Sequence, residues 1–277
     1  MNNHISAITA HFRSLWRVIS GQFRQVINRL AGQFLPMRCC LCHQLIEDNT
    51  TSIALCHCCE QDIVKFDYHA GQYQFNHLLL RPDIQKGIKQ PQFDRLYSVA
   101  PYQWPYSRWI TAIKFNGQFN YATLVAELLR RLIVRHYTLT SDTVISKIST
   151  TDSPQQLPQV IIPMPIHRNR LLSRGYNQAQ LIAQPIAKAL NITLDCQALS
   201  RIKATAAQTS LGKKGRKSNV KNAFSYQPTK SYTHVAIIDD VITTGATINE
   251  VCKQLKHKGV TQIDVWTICA TPIDKEK

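Results

Sequence analysis

The chain has 277 residues, and 33 Lys and Arg against 17 Asp and Glu give it a formal net charge of +16. Hydrophobic residues make up 44%, which excludes a wholly disordered chain, and the length allows one or two domains of roughly 100–200 residues. No run of about 18 apolar residues occurs, so a transmembrane span is not expected. The positive excess favours partners that carry phosphate, with a merely solvated basic surface as the alternative.

Residues 1–38 contain no Asp or Glu, and their apolar residues recur at helical spacing. Arg13, Arg17 and Arg24 lie on one flank of the apolar face. The pattern predicts a basic amphipathic helix. Such a helix can make peripheral contact with the inner membrane through residues 1–36, dock on a partner, act as a transit peptide or pack on its own protein.

Nine cysteines are present, six of them between residues 39 and 59. This clustering differs from the even, spread pattern of a secreted disulfide scaffold, so we expect a reducing compartment and a cytoplasmic protein. The other three, Cys196, Cys252 and Cys269, lie in largely apolar sequence and are predicted to be buried thiols.

Two C-x-x-C pairs, 13 residues apart, predict a four-thiolate zinc site in a small knuckle over residues 39–65. The predicted ligands are Cys39, Cys42, Cys56 and Cys59. Four protein ligands fill a tetrahedral site, so this zinc would be structural. Two C-x-C pairs, Cys40 with Cys42 and Cys56 with Cys58, are an alternative of poorer geometry, and His43 and His57 are weaker candidates.

Strand-like and helix-like segments alternate after residue 94, which predicts a parallel α/β sheet. The predicted strands are Arg95–Tyr102, Val160–Ile162, Val235–Ile238 and Ile263–Ala270. The predicted helices are Ala122–Tyr137, Asn177–Leu190 and Ala246–Lys258, the last with Gly259 as its C-cap. Residues 138–158, rich in Ser, Thr, Gln and Pro, are predicted to be an exposed loop, and residues 66–93 have no assignable pattern.

Residues 235–247, V-A-I-I-D-D-V-I-T-T-G-A-T, place two acids behind a buried strand and a small-residue turn before a helix. The turn is Thr243, Thr244, Gly245, Ala246 and Thr247. Backbone N–H groups and hydroxyls at a helix N-terminus bind phosphate, and glycine lets the ligand approach the backbone. Asp239 and Asp240 would repel phosphate, so they require sugar hydroxyls or Mg²⁺ nearby. The alternative is a Thr-rich helix cap with an incidental acid pair. A Walker P-loop is absent from the sequence.

Two basic segments accompany this motif. The Pro163–Gly175 segment follows a predicted strand, and His167, Arg168, Arg170 and Arg174 place positive charge there. Residues 196–238 contain eight bases and no acid, with a cluster at Lys213–Lys217. Such a segment can close over a phosphorylated ligand, follow a nucleic-acid backbone or form a solvated face.

Residues 235–247 resemble the signature of type I phosphoribosyltransferases, which bind phosphoribosyl pyrophosphate (PRPP). Further runs at residues 113–117, 163–170, 174–179 and 208–224 resemble the ComF (GntX-like) family, in that family's order. Members of that family join an N-terminal cysteine knuckle to a C-terminal phosphoribosyltransferase domain and are linked to bacterial DNA uptake and competence.

The resemblance implies an α/β type I phosphoribosyltransferase fold with a central, mainly parallel sheet over residues 94–277. The knuckle at 39–65 and the N-terminal helix at 1–38 would precede it. It also implies that the Thr243–Thr247 loop holds the 5′-phosphate and that Asp239 and Asp240 hold the ribose hydroxyls. Arg174 and Gly175 would contact pyrophosphate, which leaves with magnesium.

Two functions follow. The first is a PRPP-binding phosphoribosyltransferase of the ComF type, with an unknown acceptor, that supports DNA uptake or handling together with competence proteins. The second is a non-catalytic accessory protein that binds single-stranded DNA through the knuckle and basic surface and keeps a PRPP-sensing or relic site. Trp104, Tyr106 and Trp109 are candidate stacking aromatics, although such residues are more often core.

Overall fold

A computed structural model describes residues 37–46, 53–70, 73–74, 76–142, 156–203 and 222–273 of the protein. The chain divides into two compact units, Met1–Ile63 and Val64–Lys277. The predicted N-terminal helix, apart from its last two residues, and the Lys213–Lys217 cluster lie outside the described residues.

The elements follow in chain order. They are α1 (His57–Asp62), β1 (His69–Ala70), β2 (Tyr73–Gln74), a 3-10 helix (Leu78–Leu80), α2 (Pro82–Gln85), β3 (Arg95–Pro101), α3 (Tyr106–Phe115), α4 (Phe119–Asp142), β4 (Val160–Pro163), α5 (Arg168–Arg174), α6 (Gln178–Leu190), β5 (Thr193–Leu194), β6 (Leu199–Arg201), β7 (Phe224–Tyr226), β8 (His234–Ile242), α7 (Ala246–His257) and β9 (Gln262–Ala270).

The second unit is built on a five-stranded parallel sheet with the strand order β3-β9-β8-β4-β5. Its central strands are almost continuously apolar and buried, as expected for a parallel sheet that is covered on both faces. Helices α4 and α6 pack on each other. Helix α4 also packs on β3 and β9, and α6 also packs on β4 and β8. Two antiparallel pairs, β1-β2 and β6-β7, complete the described strands. The prediction of a mainly parallel α/β sheet is therefore confirmed.

Several predicted boundaries were wrong. Helix α4 continues to Asp142, because the Ser and Thr residues beyond Tyr137 lower helix propensity only slightly and neither Gly nor Pro interrupts them. Strand β8 extends to Ile242, so the two acids lie within the strand rather than behind it. The C-cap of α7 is Lys258, and Gly259 follows it with a φ of 89°.

Other predictions were wrong about the exposure of a cysteine or did not include a helix. Cys196 is exposed, whereas Cys252 and Cys269 are buried as predicted. Helix α3 was not predicted at all, and the Pro163–Gly175 segment contains the short helix α5. Among the described residues, no helix is long and apolar enough to cross a membrane.

A buried polar cluster joins the amino ends of three strands. Asp264 on β9 is fully buried, and its carboxylate lies 2.7 Å from Arg95 Nε and 2.8 Å from His234 Nε2. The Tyr137 hydroxyl, from α4, donates to the same carboxylate. Burial alone would raise the pKa of Asp264, but the bond with His234 and the charge of Arg95 outweigh it and lower the pKa.

We expect Asp264→Ala to lower the free energy of unfolding by about 3–5 kcal/mol, because it leaves Arg95 buried without its carboxylate. The folded pKa of Asp264 lies below its unfolded value of about 3.9. The stabilisation is therefore complete at neutral pH and is lost as the pH falls through the folded pKa. Urea titrations of wild type and variant should converge as the pH is lowered below about 4.

The control is Asp67→Ala, at an exposed acid, which should change the unfolding free energy by less than about 1 kcal/mol. A stability difference for Asp264→Ala that stays constant from neutral to acidic pH would contradict an ionised Asp264 in the folded protein.

Candidate functional site at the carboxyl edge of the sheet

A cavity of about 1150 Å³ opens where β3, β4 and β8 end. Parallel strands bring their carboxyl ends to one edge, which is where α/β sheets bind ligands. The predicted site residues that line it are Asp239, Asp240, Thr243, Thr244, Gly245, Ala246, Thr247 and Arg174. Gly175 is the one predicted residue of this site that does not line the cavity.

The Thr243–Thr247 loop forms the turn between β8 and α7. Gly245 has a φ of 71°, a left-handed conformation that favours glycine, and it occupies the N-cap position of α7. A Cβ atom at Gly245 would lie 2.9 Å from Ile88 Cγ2, so a side chain there would also clash. The first N–H groups of an α-helix have no partner within the helix, and here they belong to Ala246, Thr247 and Ile248, which line the cavity. The loop can therefore bind an anion such as a phosphate.

The two acids form a compact pair on β8. Asp239 Oδ1 accepts a hydrogen bond of 2.8 Å from the backbone N–H of Asp240, whose side chain is almost fully buried. Burial and the neighbouring charge of Asp240 raise the pKa of Asp239 well above its usual value. One carboxylate of the pair thus suppresses the ionisation of the other.

Lys114 provides a positive charge at this pair. Its Nζ forms an ion pair with Asp240 Oδ2, and its side chain also lines the cavity. Burial alone would lower the pKa of Lys114, but the carboxylates of Asp240 and Asp239 outweigh burial and raise it. The charge on Lys114 thereby compensates the buried charge on Asp240.

Lys114 lies in the last turn of α3, and the end of this helix is held in place. Tyr176 donates a hydrogen bond from its hydroxyl to the Ile113 carbonyl. The Tyr176 ring also packs edge-on against Phe119, with 4.9 Å between the ring centroids. These contacts fix the I-K-F-N-G segment, residues 113–117, against the segment that follows α5.

The R-G-Y-N-Q-A segment, residues 174–179, joins α5 to α6. Gly175 ends α5 with a φ of 83° and donates its N–H to the Leu171 carbonyl. Asn177 caps α6 by accepting a hydrogen bond from the Ala179 N–H, and its Nδ2 donates to the Met164 carbonyl at 3.0 Å. This segment is therefore tied to the end of β4.

Three arginines line the same cavity. The Arg174 guanidinium donates to Gln178 Oε1 at 2.5 Å and lies 5.5 Å from the centre of the Phe115 ring. Arg170 and Arg201 come from α5 and β6. Burial and the nearby charge of Arg170 lower the pKa of Arg201. The wall beside the acid pair is consequently positive, which suits a ligand with several phosphates.

The first unit brings the four predicted cysteines together. The Sγ atoms of Cys39, Cys42, Cys56 and Cys59 all lie within 4.8 Å of one another. The separation of 3.7 Å between Cys42 Sγ and Cys56 Sγ is close to the edge of about 3.8 Å that a tetrahedron with metal–sulfur bonds of about 2.3 Å requires. Among the described residues, this is the only such metal-binding group. Cys40, Cys58, His43 and His57 are not part of it.

Local backbone geometry explains the arrangement. Residues 39–43 form a tight turn, in which the His43 N–H donates to the Cys39 carbonyl at 2.9 Å. Burial opposes ionisation of Cys39, but nearby backbone N–H groups, those of Cys42 and Cys56 first, lower its pKa to about 6. The cluster thus has one thiol predisposed to ionise, and thiolates are the ligands that zinc takes from cysteine.

Comparisons with known proteins show the family of this chain. Residues 177–277 match the family model described as "Phosphoribosyl transferase domain". Competence protein F of Haemophilus influenzae is 35% identical over 242 residues, which cover 84% of this chain and 96% of the relative. The chain belongs to the ComF family.

Other ComF relatives include DNA utilization protein YhgH of Escherichia coli K12, 35% identical over 66% of this chain and 75% of the relative. A solved hypoxanthine phosphoribosyltransferase from Staphylococcus aureus is 10% identical, with a TM-score of 0.29 over 55% of this chain and 68% of that chain. The match to the family model includes residues 239–247 of this ComF protein, the acid pair and the Thr243–Thr247 loop.

The sequence did not indicate three of the charged residues that line the cavity. Lys114 was noticed only as part of a family run, and Arg201 only as one base among eight. Arg170 was noted for its charge but not placed in the site. The local sequence carried no usable signal for Lys114, because its partner Asp240 lies on a strand far along the chain. Of the suggested stacking aromatics, Tyr106 and Trp109 are fully buried core residues, and Trp104 is 63% exposed.

We expect Gly245→Ala to destabilise the protein more than Gly259→Ala does. Both glycines have positive φ, so both substitutions carry backbone strain of about 1–2 kcal/mol. Only at Gly245 does the added Cβ meet another atom below 3 Å, in the Ile88 side chain, whereas nothing lies within 4 Å at Gly259. Thermal unfolding of the two variants measures the difference, and equal losses would show that Ile88 moves aside without cost.

Proposed function

We propose that the chain binds PRPP in the cavity at the carboxyl edge of the sheet and acts as a phosphoribosyltransferase of the ComF type. The observation that carries the proposal is the joint position of the acid pair and the Thr243–Thr247 loop at the end of β8, in one cavity with three arginines. The loop would bind the 5′-phosphate through backbone N–H groups and hydroxyls. Asp239 and Asp240 would accept hydrogen bonds from the ribose hydroxyls.

The arginines would act on the leaving group. In the transfer, the bond between ribose C1 and the pyrophosphate oxygen breaks, pyrophosphate keeps the electron pair, and an acceptor atom bonds to C1. Arg174, with Arg170 and Arg201 on the same wall, would stabilise the charge that develops on pyrophosphate. Gly175 would contribute by ending α5, so that Arg174 faces the cavity.

Magnesium fits the chemistry of the site, since carboxylate and phosphate oxygens are the ligands it prefers. When bound with PRPP, it would neutralise part of the pyrophosphate charge. The pyrophosphate oxygens would be its main ligands, because the pKa of Asp239 is raised and Lys114 already occupies one oxygen of Asp240.

We expect the double substitution Asp239→Asn with Asp240→Asn to weaken PRPP binding by at least about tenfold, because amide groups replace two acceptors at the ribose position. Isothermal titration calorimetry measures the affinity, and Asp67→Asn is the control at an exposed acid outside the cavity. A screen for pyrophosphate release across nucleobases, nucleotides and single-stranded DNA then tests turnover and identifies the acceptor.

Unchanged PRPP affinity in the double variant would overturn the assignment of the acid pair. PRPP binding without pyrophosphate release for any acceptor would instead favour a protein that senses PRPP and does not turn it over.

The role in DNA uptake or handling is also a proposal. It is supported by relatives named competence protein F and DNA utilization protein, and by the net charge of +16. A non-catalytic protein that binds single-stranded DNA is the second candidate, favoured by the exposed Trp104 next to Tyr102 of the cavity. In that case the double Asn variant should bind a labelled oligonucleotide as wild type does, with an affinity that falls steeply with salt.

The cysteine cluster would hold a structural zinc ion, because its four thiols fill all positions of a tetrahedral site. We propose that residues 39–65 form this zinc knuckle as a domain of their own before the phosphoribosyltransferase domain at 94–277. A cytoplasmic location and a peripheral membrane contact through residues 1–36 stay predictions of the sequence.

We expect purified wild-type protein to contain one zinc ion per chain and Cys56→Ser to lose it, because three thiolates bind zinc more weakly than four. Elemental analysis by mass spectrometry measures the metal. Cys58→Ser, two residues away and outside the cluster, is the matched control and should keep the zinc. Zinc loss in Cys58→Ser as well as in Cys56→Ser would favour the C-x-C alternative, in which both Cys56 and Cys58 are ligands.

A further inference from the structure

The acid pair at the end of β8 has a neighbour that no phosphoribosyltransferase motif of the sequence assigns. Lys114 reaches it from α3, an element far away in sequence, and forms an ion pair with Asp240 Oδ2. Asp239 and Asp240 are the only acids that line the cavity in the described part of the chain. A lysine of the protein itself therefore balances part of their negative charge.

This ion pair is open to the cavity. The Lys114 side chain is 26% exposed and lines the cavity together with both acids. An ion pair that served only the fold would not need to line this cavity. A cation at this point instead faces the space that a ligand of the acid pair would enter.

Lys114 is also held in place before any ligand arrives. The α3 residues Ile110 and Ile113 are buried in the core, and Tyr176 bonds to the Ile113 carbonyl. The last turn of a helix favours a cation, because the helix dipole is negative there. The ammonium group therefore needs little reorganisation to serve the acid pair.

We propose that Lys114 is a built-in counter-cation of the ribose-binding acids, a positioning residue that lets the site bind PRPP without a divalent metal at the acid pair. The inference rests on the proposed PRPP site and extends it. Lys114 neutralises Asp240, so the pair does not repel the negatively charged ligand. Magnesium would then act on the pyrophosphate alone, and its contribution to PRPP affinity would be modest.

The experiment compares PRPP affinity by isothermal titration calorimetry in EDTA and in excess Mg²⁺. Wild type should bind under both conditions, with affinities within about tenfold of each other. Lys114→Met keeps the length of the side chain and removes its charge. Its PRPP affinity should be lower than that of wild type by about tenfold or more in EDTA, and Mg²⁺ should restore most of that affinity. The PRPP affinity of Lys114→Arg in EDTA should be close to that of wild type, because arginine keeps the positive charge.

Two further variants make the result specific. Lys188→Met removes a lysine from the last turn of α6, outside the cavity, and should behave as wild type in both conditions. In the Asp240→Asn background, Lys114→Met should create no additional dependence on Mg²⁺, because the charge that Lys114 balances is gone. Circular dichroism confirms that each variant is folded.

Three outcomes would overturn the inference. Wild-type binding that vanishes in EDTA would show that Lys114 cannot stand in for a metal, while the proposed PRPP site would stand. A Lys114→Met variant that binds as wild type in EDTA would show that the ion pair is irrelevant to the ligand. If Lys114→Met lost the same PRPP affinity with and without Mg²⁺, Lys114 would act by direct contact with the ligand or by stabilising the fold. Failure of wild type to bind PRPP even with Mg²⁺ would instead refute the proposed function itself.

Discussion

Two adjacent carboxylates at the end of a buried strand set the main electrostatic constraint in this protein. Asp239 and Asp240 extend a strand that is apolar and buried up to that point, so their charge enters a region of low dielectric. Lys114 from a different element and three arginines that line the same cavity balance this charge. The positions of α3 and of the segment after α5 are therefore connected to the acid pair through electrostatics as well as packing.

The opposite edge of the same sheet handles a buried acid differently. At the amino ends of the strands, Asp264 is enclosed by Arg95, His234 and Tyr137, and its hydrogen bonds are made within the protein. That cluster joins three strands and α4, and none of its four residues lines the described cavity. The acid pair at the carboxyl edge keeps an open face toward the cavity. One sheet thus has a closed polar cluster that stabilises the fold and an open one that is suited to a ligand.

Much of this site could be predicted from the sequence, because its central part is local. The strand, the acids, the turn and the helix of residues 235–247 are consecutive, and each has a strong residue preference. Gly245 shows this directly, since its positive φ and its contact with Ile88 leave room only for glycine. The four cysteines were likewise predictable, because each pair lies in one short local structure, a tight turn for Cys39 and Cys42 and the start of α1 for Cys56 and Cys59.

The sequence alone determined the parallel α/β sheet, the turn of small residues between β8 and α7, and the thiols that form the four-cysteine cluster. Only the tertiary structure decided that Lys114 meets Asp240, that Arg201 joins Arg174 on one wall, and that Gly175 lies outside the cavity. The reason is physical. These contacts join elements that are distant along the chain, and the order of strands in the sheet brings them together, whereas periodicity and spacing report only on neighbours in sequence.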